Sequence, residues 1–217
     1  MSSPTIGILL AARRVANFAE AEGALEAAPV LRPTFQHMGA VVADAVLQAG
    51  LNYATVVRPR VATILQNYPE TNRVSELMKL VKARQVTEFL NWGHATKVER
   101  FEQLVMFLAR SSIETSGDLH ERLGDAEFCT SLRTVNGIGP KTVDYLSCLV
   151  GRDAIAVDRH VRAYASRAGV SSQDYDFLRD VFCSAADLLS LSRRVFDAWI
   201  WRRESLAAKF DQMALSF

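Results

Sequence analysis

The chain contains few cysteines and no long hydrophobic run. Its three cysteines, Cys129, Cys148 and Cys183, are far apart and form no CxxC pair. This spacing predicts buried free thiols in a reducing compartment, and it excludes an iron–sulfur cluster, which needs four thiolates. No stretch reaches the roughly 20 continuous apolar residues of a membrane span, and the first residues lack the pattern of a secretory signal. We therefore expect a cytoplasmic protein with no membrane partner.

The chain also lacks an excess of charge of one sign. Its 25 Lys and Arg residues stand against 24 Asp and Glu residues, which gives a formal net charge of +1. A nucleic-acid partner would therefore need a local basic surface. The length of 217 residues and the hydrophobic fraction of 49% suit one large domain or two small ones, and they exclude extended disorder.

The main pattern in the sequence is a helical spacing of apolar residues. Apolar residues recur three and four positions apart almost throughout, and period-two alternation hardly appears, so we expect an all-α protein. The β-branched stretch 55–64 resembles a strand, but Pro59 interrupts it and no partner strand is evident. One helix should contain Phe35, with Thr34 as its cap, and end near Gly50. The expected caps of four later helices are Asn72, Thr96, Asp125 and Ser192.

The segment SLRTVNGIGPKTVDYLSCLVG is the most informative in the chain. Two glycines two positions apart permit unusual backbone dihedrals, and a proline preset for the first helical turn follows them. The pattern predicts a helix-hairpin-helix whose exposed amides, from Gly137 to Lys141, favour a phosphate oxygen. A plain connection between two helices is the alternative. The residues that we expect to contact a nucleic-acid backbone are Gly137, Ile138, Gly139, Pro140 and Thr142.

Two ionisable residues near the hairpin have a potential chemical role. Lys141 lies in the first helical turn, where a cation opposes the helix dipole, so it is either a phosphate contact or a nucleophilic amine with a lowered pKa. Asp158, in AIAVDRHVRAYASRAGV, occupies an N-cap position. A carboxylate held there stays ionised, so it can stabilise a cationic transition state or accept a proton.

The motif VNGIGPKTVDYL, followed by IAVDRHV, resembles the helix-hairpin-helix (HhH-GPD) superfamily of DNA glycosylases. Fainter similarity to the endonuclease III branch extends the resemblance to about residues 35–170. The resemblance implies a two-lobed α-helical fold. Residues 35–150 would form a six-helix barrel that includes the hairpin at about 131–150, and residues 1–34 with 151–217 would form the second lobe. DNA would cross the groove between the lobes, with a damaged nucleotide flipped out.

The same resemblance implies base excision repair of double-stranded DNA that contains a damaged base or an abasic site. Lys141 matches the catalytic lysine of bifunctional members, which also cleave abasic sites, and Asp158 matches the essential aspartate. A monofunctional glycosylase that uses activated water, and a non-catalytic DNA-binding protein, are the alternatives. In a bacterium the protein would be associated with the nucleoid.

Cofactor and lesion-recognition residues complete the expectations. No organic cofactor is needed, the four-cysteine iron–sulfur motif of many relatives is absent, and a hairpin of this kind can hold a monovalent cation on main-chain carbonyls. The candidate residues that would wedge into the base stack or line the pocket are Leu51, Asn52, Tyr53 and His94. The sequence does not name the lesion.

Overall fold

The structure is a computed structural model that describes residues 3–29 and 32–214, with side chains for residues 5–29 and 32–206. The described residues form helices, turns and loops and contain no β-strand, which confirms the all-α prediction. A π-helical turn covers Tyr53–Val57 and a 3-10 turn covers Pro69–Asn72. The α-helices of the described part are α1 (Ser3–Ala21), α2 (Met38–Leu47), α3 (Arg58–Asn67), α4 (Val74–Lys82), α5 (Val86–Leu90), α6 (Ala95–Arg110), α7 (Ser116–Arg122), α8 (Ala126–Leu132), α9 (Pro140–Leu149), α10 (Arg159–Arg167), α11 (Tyr175–Leu188) and α12 (Arg193–Ala214).

The chain divides into two compact units. The middle unit is Thr34–Arg152, and the terminal unit combines Met1–Pro33 with Asp153–Phe217. No described helix is both long enough and apolar enough to cross a membrane. The six-helix barrel expected of the middle residues stays a prediction.

Helix α2 is the centre of the middle unit. Every one of its residues is buried, and it packs against α3, α6 and α9. An apolar helix without a polar face is typical of such a central position. Other helices of the middle unit also carry large, fully buried side chains, among them Ile64, Leu77, Leu90, Phe101, Leu104 and Leu108.

The terminal unit has its own core. Helix α1 packs along α11, and α10 packs along α12. Aromatic rings fill the interior: the Tyr164 ring centroid lies 6.4 Å from that of Phe182 and 5.7 Å from that of Trp199. The apolar faces of these helices therefore meet in one continuous cluster.

Three of the predicted helix starts were wrong. Helix α2 begins at Met38 with His37 as its cap, because the Phe35 amide donates to the carbonyl oxygen of Leu149 at 3.0 Å and holds Thr34 and Phe35 outside the helix. Asn72 closes the 3-10 turn one residue before the actual cap of α4, Arg73. Thr96 lies inside the first turn of α6, which begins after His94.

The other two predicted caps were confirmed. The side chain of Asp125 accepts from the Glu127 amide at 2.9 Å at the start of α8, and Ser192 Oγ accepts from the Val195 amide at 3.3 Å at the start of α12. The β-branched stretch was correctly not assigned as a strand. Pro59 instead occupies the start of α3, where a proline costs no hydrogen bond.

Candidate functional site

Helices α8 and α9 form the predicted helix-hairpin-helix in the middle unit. Gly137 has a φ of +78°, the left-handed conformation that turns the chain, and the Ile138 amide closes the turn on the carbonyl oxygen of Val135 at 2.9 Å. Gly139 is the N-cap of α9 and Pro140 is its first residue. Since glycine has no side chain to cap the helix, the first amides of α9 receive no side-chain partner from it.

The five hairpin residues do not share one environment. The Gly137 position is exposed and Gly139 and Pro140 are half-buried, whereas Ile138 and Thr142 are only 2% and 7% exposed. The Ile138 amide was wrongly counted among the unpaired ones, because it is used inside the turn. Ile138 and Thr142 therefore hold the hairpin from within, and any contact with a ligand falls to the backbone on the outer side.

The two hairpin glycines also differ in backbone conformation. Gly139 has a φ of −94°, which any residue adopts, so the expectation of unusual dihedrals was wrong for this glycine. A Cβ atom added to Gly139 would meet nothing within 4 Å, but one added to Gly137 would lie 2.0 Å from Nε of Arg100. Gly137 is therefore required by the turn, and Gly139 leaves an open surface that a ligand backbone can approach closely.

Replacing Gly137 with alanine should destabilise the protein by about 1–2 kcal/mol. Alanine is strained in the left-handed conformation, and its Cβ atom would displace the Arg100 side chain. Gly139→Ala is the matched control and should change stability by less than about 0.5 kcal/mol. Urea denaturation of both variants measures the difference. Equal stabilities of the two variants would contradict the assigned roles.

Arg100 also affects whether the turn can bind a monovalent cation, as hairpins of this kind can. Arg100 Nε donates to the carbonyl oxygen of Asn136 at 3.2 Å, so a guanidinium already lies on a carbonyl of the turn. A cation on that oxygen would meet a like charge. The Asn136 carbonyl therefore does not fit a cation ligand. Among the described residues no group of three or more His, Cys, Asp or Glu side chains could hold a metal ion.

Lys141 lies in the first turn of α9 and reaches across to α2. Its Nζ donates to the side-chain oxygen of Gln48 at 2.8 Å, in a half-buried setting. Gln48 is the C-cap of α2, so its position is fixed by the end of a fully buried helix. The amine is therefore held at a defined place next to the hairpin.

A buried carboxylate lies one helical turn away from that contact. Asp44 is fully buried; Oδ1 accepts from the Tyr145 hydroxyl at 2.7 Å and Oδ2 from the Tyr53 hydroxyl at 3.0 Å. Asp44 precedes Gln48 by four residues on α2, and Lys141 precedes Tyr145 by four on α9. Because residues four apart share a helix face, the pairs Asp44–Tyr145 and Gln48–Lys141 bridge the two helices on successive turns.

A second lysine, Lys97, extends this polar cluster. Its Nζ donates to the carbonyl oxygens of Val46 and Ala49 at 2.6 and 2.7 Å, which fixes the end of α2 on either side of Gln48. Burial, with repulsion from Arg100 and then from Lys141, lowers the pKa of Lys97 to about 8. Sequence reasoning missed it, although Lys97 lies in the first turn of α6 and shows the same conflict with the helix dipole that drew attention to Lys141.

The candidate wedge and pocket residues have mostly structural roles. Asn52 caps the π-helical turn, accepting from the Thr55 amide at 3.1 Å, and the hydroxyl of Tyr53 binds Asp44 as described. Leu51 is half-buried just before that cap. His94 is exposed and precedes α6 without a side-chain capping bond. A function for these four residues stays a prediction.

Asp158 belongs to the terminal unit and is the N-cap of α10, as predicted. Its Oδ1 accepts from the amides of His160 and Val161 at 2.8 and 3.1 Å. The other oxygen, Oδ2, lies 3.9 Å from Nη2 of Arg32. Arg32 in turn places Nε 2.8 Å from Oδ2 of Asp197, which is only 1% exposed. Asp158 therefore joins a buried ionic group that sequence reasoning did not find.

Asp197 makes the stability of the protein depend on pH. Burial, partly offset by Arg32, raises the pKa of Asp197 from 3.8 to about 6, so the folded protein binds this proton more tightly than the unfolded chain. Its stabilising contribution is complete below about pH 4 and is lost as the pH rises through 6. Relative to Asp197→Asn, the wild type should lose roughly 2 kcal/mol of unfolding free energy between about pH 4 and pH 7. Urea denaturation measures this difference; parallel pH dependences in the two proteins would contradict it.

A comparison of the chain with known protein families finds a match that covers most of its length. A family model described as "Domain of unknown function (DUF8548)" matches residues 12–205. The chain belongs to this family. The DUF8548 match includes the hairpin, Lys141, Asp158 and Asp197, but its description names no activity. No curated protein matches the chain.

Proposed function

We propose that the protein is a DNA glycosylase of the HhH-GPD kind that also cleaves abasic sites. The observation that carries the proposal is the placement of Lys141: an amine in the first turn of a helix entered through a glycine hairpin, held by Gln48 at 2.8 Å. The resemblance of VNGIGPKTVDYL and IAVDRHV to that superfamily supports it. The proposal includes the superfamily's two-lobed fold, with a six-helix barrel in the middle unit.

In the proposed reaction, Lys141 Nζ is the nucleophile. The amine bonds to C1′ of the sugar as the bond between C1′ and the damaged base breaks, and the base leaves with a proton. Ring opening gives a protonated Schiff base, from which loss of a C2′ proton expels the 3′ phosphate by β-elimination. Lys141 is released when water hydrolyses the imine.

Asp158 stabilises the positive charge that develops in this reaction. The sugar becomes cationic as the base leaves, and a carboxylate stabilises that cation. The capping bonds to two amides use Oδ1, which leaves Oδ2 for the charge interaction. The same carboxylate assists the proton transfers that involve the Lys141 amine.

The hairpin would hold the DNA backbone. No side chain caps the start of α9, and the Gly139 surface is open, so a phosphate can approach the turn closely. Phosphate contacts of this type position the duplex without reading its sequence. Double-stranded DNA with a damaged base or an abasic site is thus the proposed partner.

A monofunctional glycosylase is the second candidate. The hydrogen bond from Lys141 to Gln48 favours it, because an amine held by this bond can have a purely structural role. Water activated near Asp158 would then displace the base. A DNA-binding protein without activity is the third candidate. These candidates differ in what they do to an abasic site.

A duplex that carries one abasic site tests the proposal, together with a panel of duplexes that each contain one oxidised, alkylated or deaminated base. The proposed enzyme nicks the abasic strand and releases at least one damaged base. Base release without nicking would identify the monofunctional enzyme. Binding without either reaction would leave only the DNA-binding protein.

A further inference from the structure

Arg32 contacts two carboxylates in the terminal unit. Its Nε lies 2.8 Å from Asp197 Oδ2 and its Nη2 lies 3.9 Å from Asp158 Oδ2. The side chains of Arg32 and Asp158 are 17% and 14% exposed, whereas that of Asp197 is 1% exposed. Asp158 can therefore be reached from solvent, and Arg32 contacts both Asp158 and the buried Asp197.

This arrangement decides how much negative charge Asp158 presents. An ion pair of Arg32 with Asp158 alone would be neutral, and a neutral pair stabilises a cation far less than a carboxylate does. Because Asp197 takes the shorter contact with Arg32, the three groups together carry one net negative charge when both carboxylates are ionised. The buried aspartate thus restores the charge that the arginine would cancel.

Two more ionisable groups face this set. Arg194, on the same helix as Asp197, donates through Nη2 to the Arg32 carbonyl oxygen at 3.1 Å and acts on Asp197 more weakly than Arg32 and Asp158 do. His160 is near Asp158, and burial lowers the pKa of its imidazole. The outermost charge of the group, and the most accessible carboxylate, is still that of Asp158.

We propose that Arg32 and Asp197 are positioning residues for Asp158: Arg32 orients its Oδ2, and Asp197 neutralises Arg32 so that Asp158 acts as a full negative charge on the cationic sugar or Schiff base. This inference rests on the proposed function. Protonation of Asp197 makes the group neutral, so the reaction should slow as the pH falls through about 6.

The rate of borohydride trapping on a duplex with a single abasic site tests the inference. The rate constant is measured with saturating protein between about pH 5 and pH 8. For the wild type it should fall on the acid side with a midpoint near 6. Asp197→Asn should lower it roughly tenfold at pH 7.5 and remove the acid limb, while the DNA dissociation constant stays within about twofold.

Two variants serve as controls. Asp187→Asn removes an exposed carboxylate of α11 that pairs with Arg193 at 3.4 Å, and it should keep both the rate and the acid limb. His160→Gln should keep the acid limb, which separates Asp197 from the imidazole. Loss of the limb in His160→Gln would overturn the inference.

The remaining outcomes are distinct. If the wild type traps DNA and Asp197→Asn has the same rate and profile, the positioning role is wrong and the proposed function stands. If Asp197→Asn does not fold, the wild-type profile decides: a flat rate between pH 5 and pH 7 overturns the inference, and an acid limb retained in His160→Gln supports it. If the wild type traps no DNA at any pH, the proposed function fails and the inference fails with it.

Discussion

Lys141→Gln should abolish both base release and borohydride trapping on abasic DNA, while DNA binding changes by less than about tenfold. Glutamine has no nucleophilic amine, so no bond to C1′ can form. Its amide can still donate to Gln48, so the contact between α9 and α2 survives and the fold is kept. Gel-shift titration and trapping on the same duplex measure binding and chemistry separately.

Lys79→Gln is the matched control for this change. Lys79 is an exposed lysine of α4 whose Nζ lies 2.8 Å from Glu76, and its loss should leave trapping unchanged. If Lys141→Gln still releases a damaged base, water rather than the Lys141 amine displaces the base, as in the monofunctional reaction. Unchanged nicking by Lys141→Gln would remove Lys141 from the mechanism.

Asp158→Asn should reduce base release by about 10²- to 10³-fold and change stability by well under 1 kcal/mol. Asparagine is as good an N-cap as aspartate, so its side chain still accepts from the His160 and Val161 amides. The charge opposite the cationic sugar is lost. Single-turnover base release and thermal unfolding of the same preparation separate the two effects.

Asp158→Ala should lose the same activity and, in addition, about 1 kcal/mol of stability, because the cap is removed. Asp174 offers a control in the same unit: it caps α11 by accepting from the Phe177 amide, and Asp174→Ala should lose the capping energy and keep activity. If Asp158→Asn retains full activity and only the alanine variant is altered, Asp158 is a helix cap and nothing more.

Local features were the ones that sequence reasoning could predict. The hairpin, the all-helical fold and the Asp158 cap depend on residues a few positions apart, where dihedral preference and capping decide the structure. Helix starts were less predictable when a distant contact intervened. Phe35 fits the apolar stripe of α2, but its amide bonds to Leu149, and this tertiary contact overrides the local pattern.

The long-range ionic contacts could not be predicted from spacing. Arg32 and Asp197 are separated by most of the chain, and no periodicity pairs them. A weaker signal was present: Asp44 and Asp197 each interrupt an apolar helix stripe, and a buried carboxylate must find partners. That signal identifies the residue that needs a partner without naming the partner.

The identity of the amine that bonds to DNA tests the central claim most directly. After borohydride reduction on a duplex with one abasic site, proteolysis and mass spectrometry locate the sugar remnant on the protein. We predict that it is attached to Nζ of Lys141. Attachment to Lys97, whose pKa is about 8 and which lies in the same polar cluster, or no attachment at all, would contradict the account.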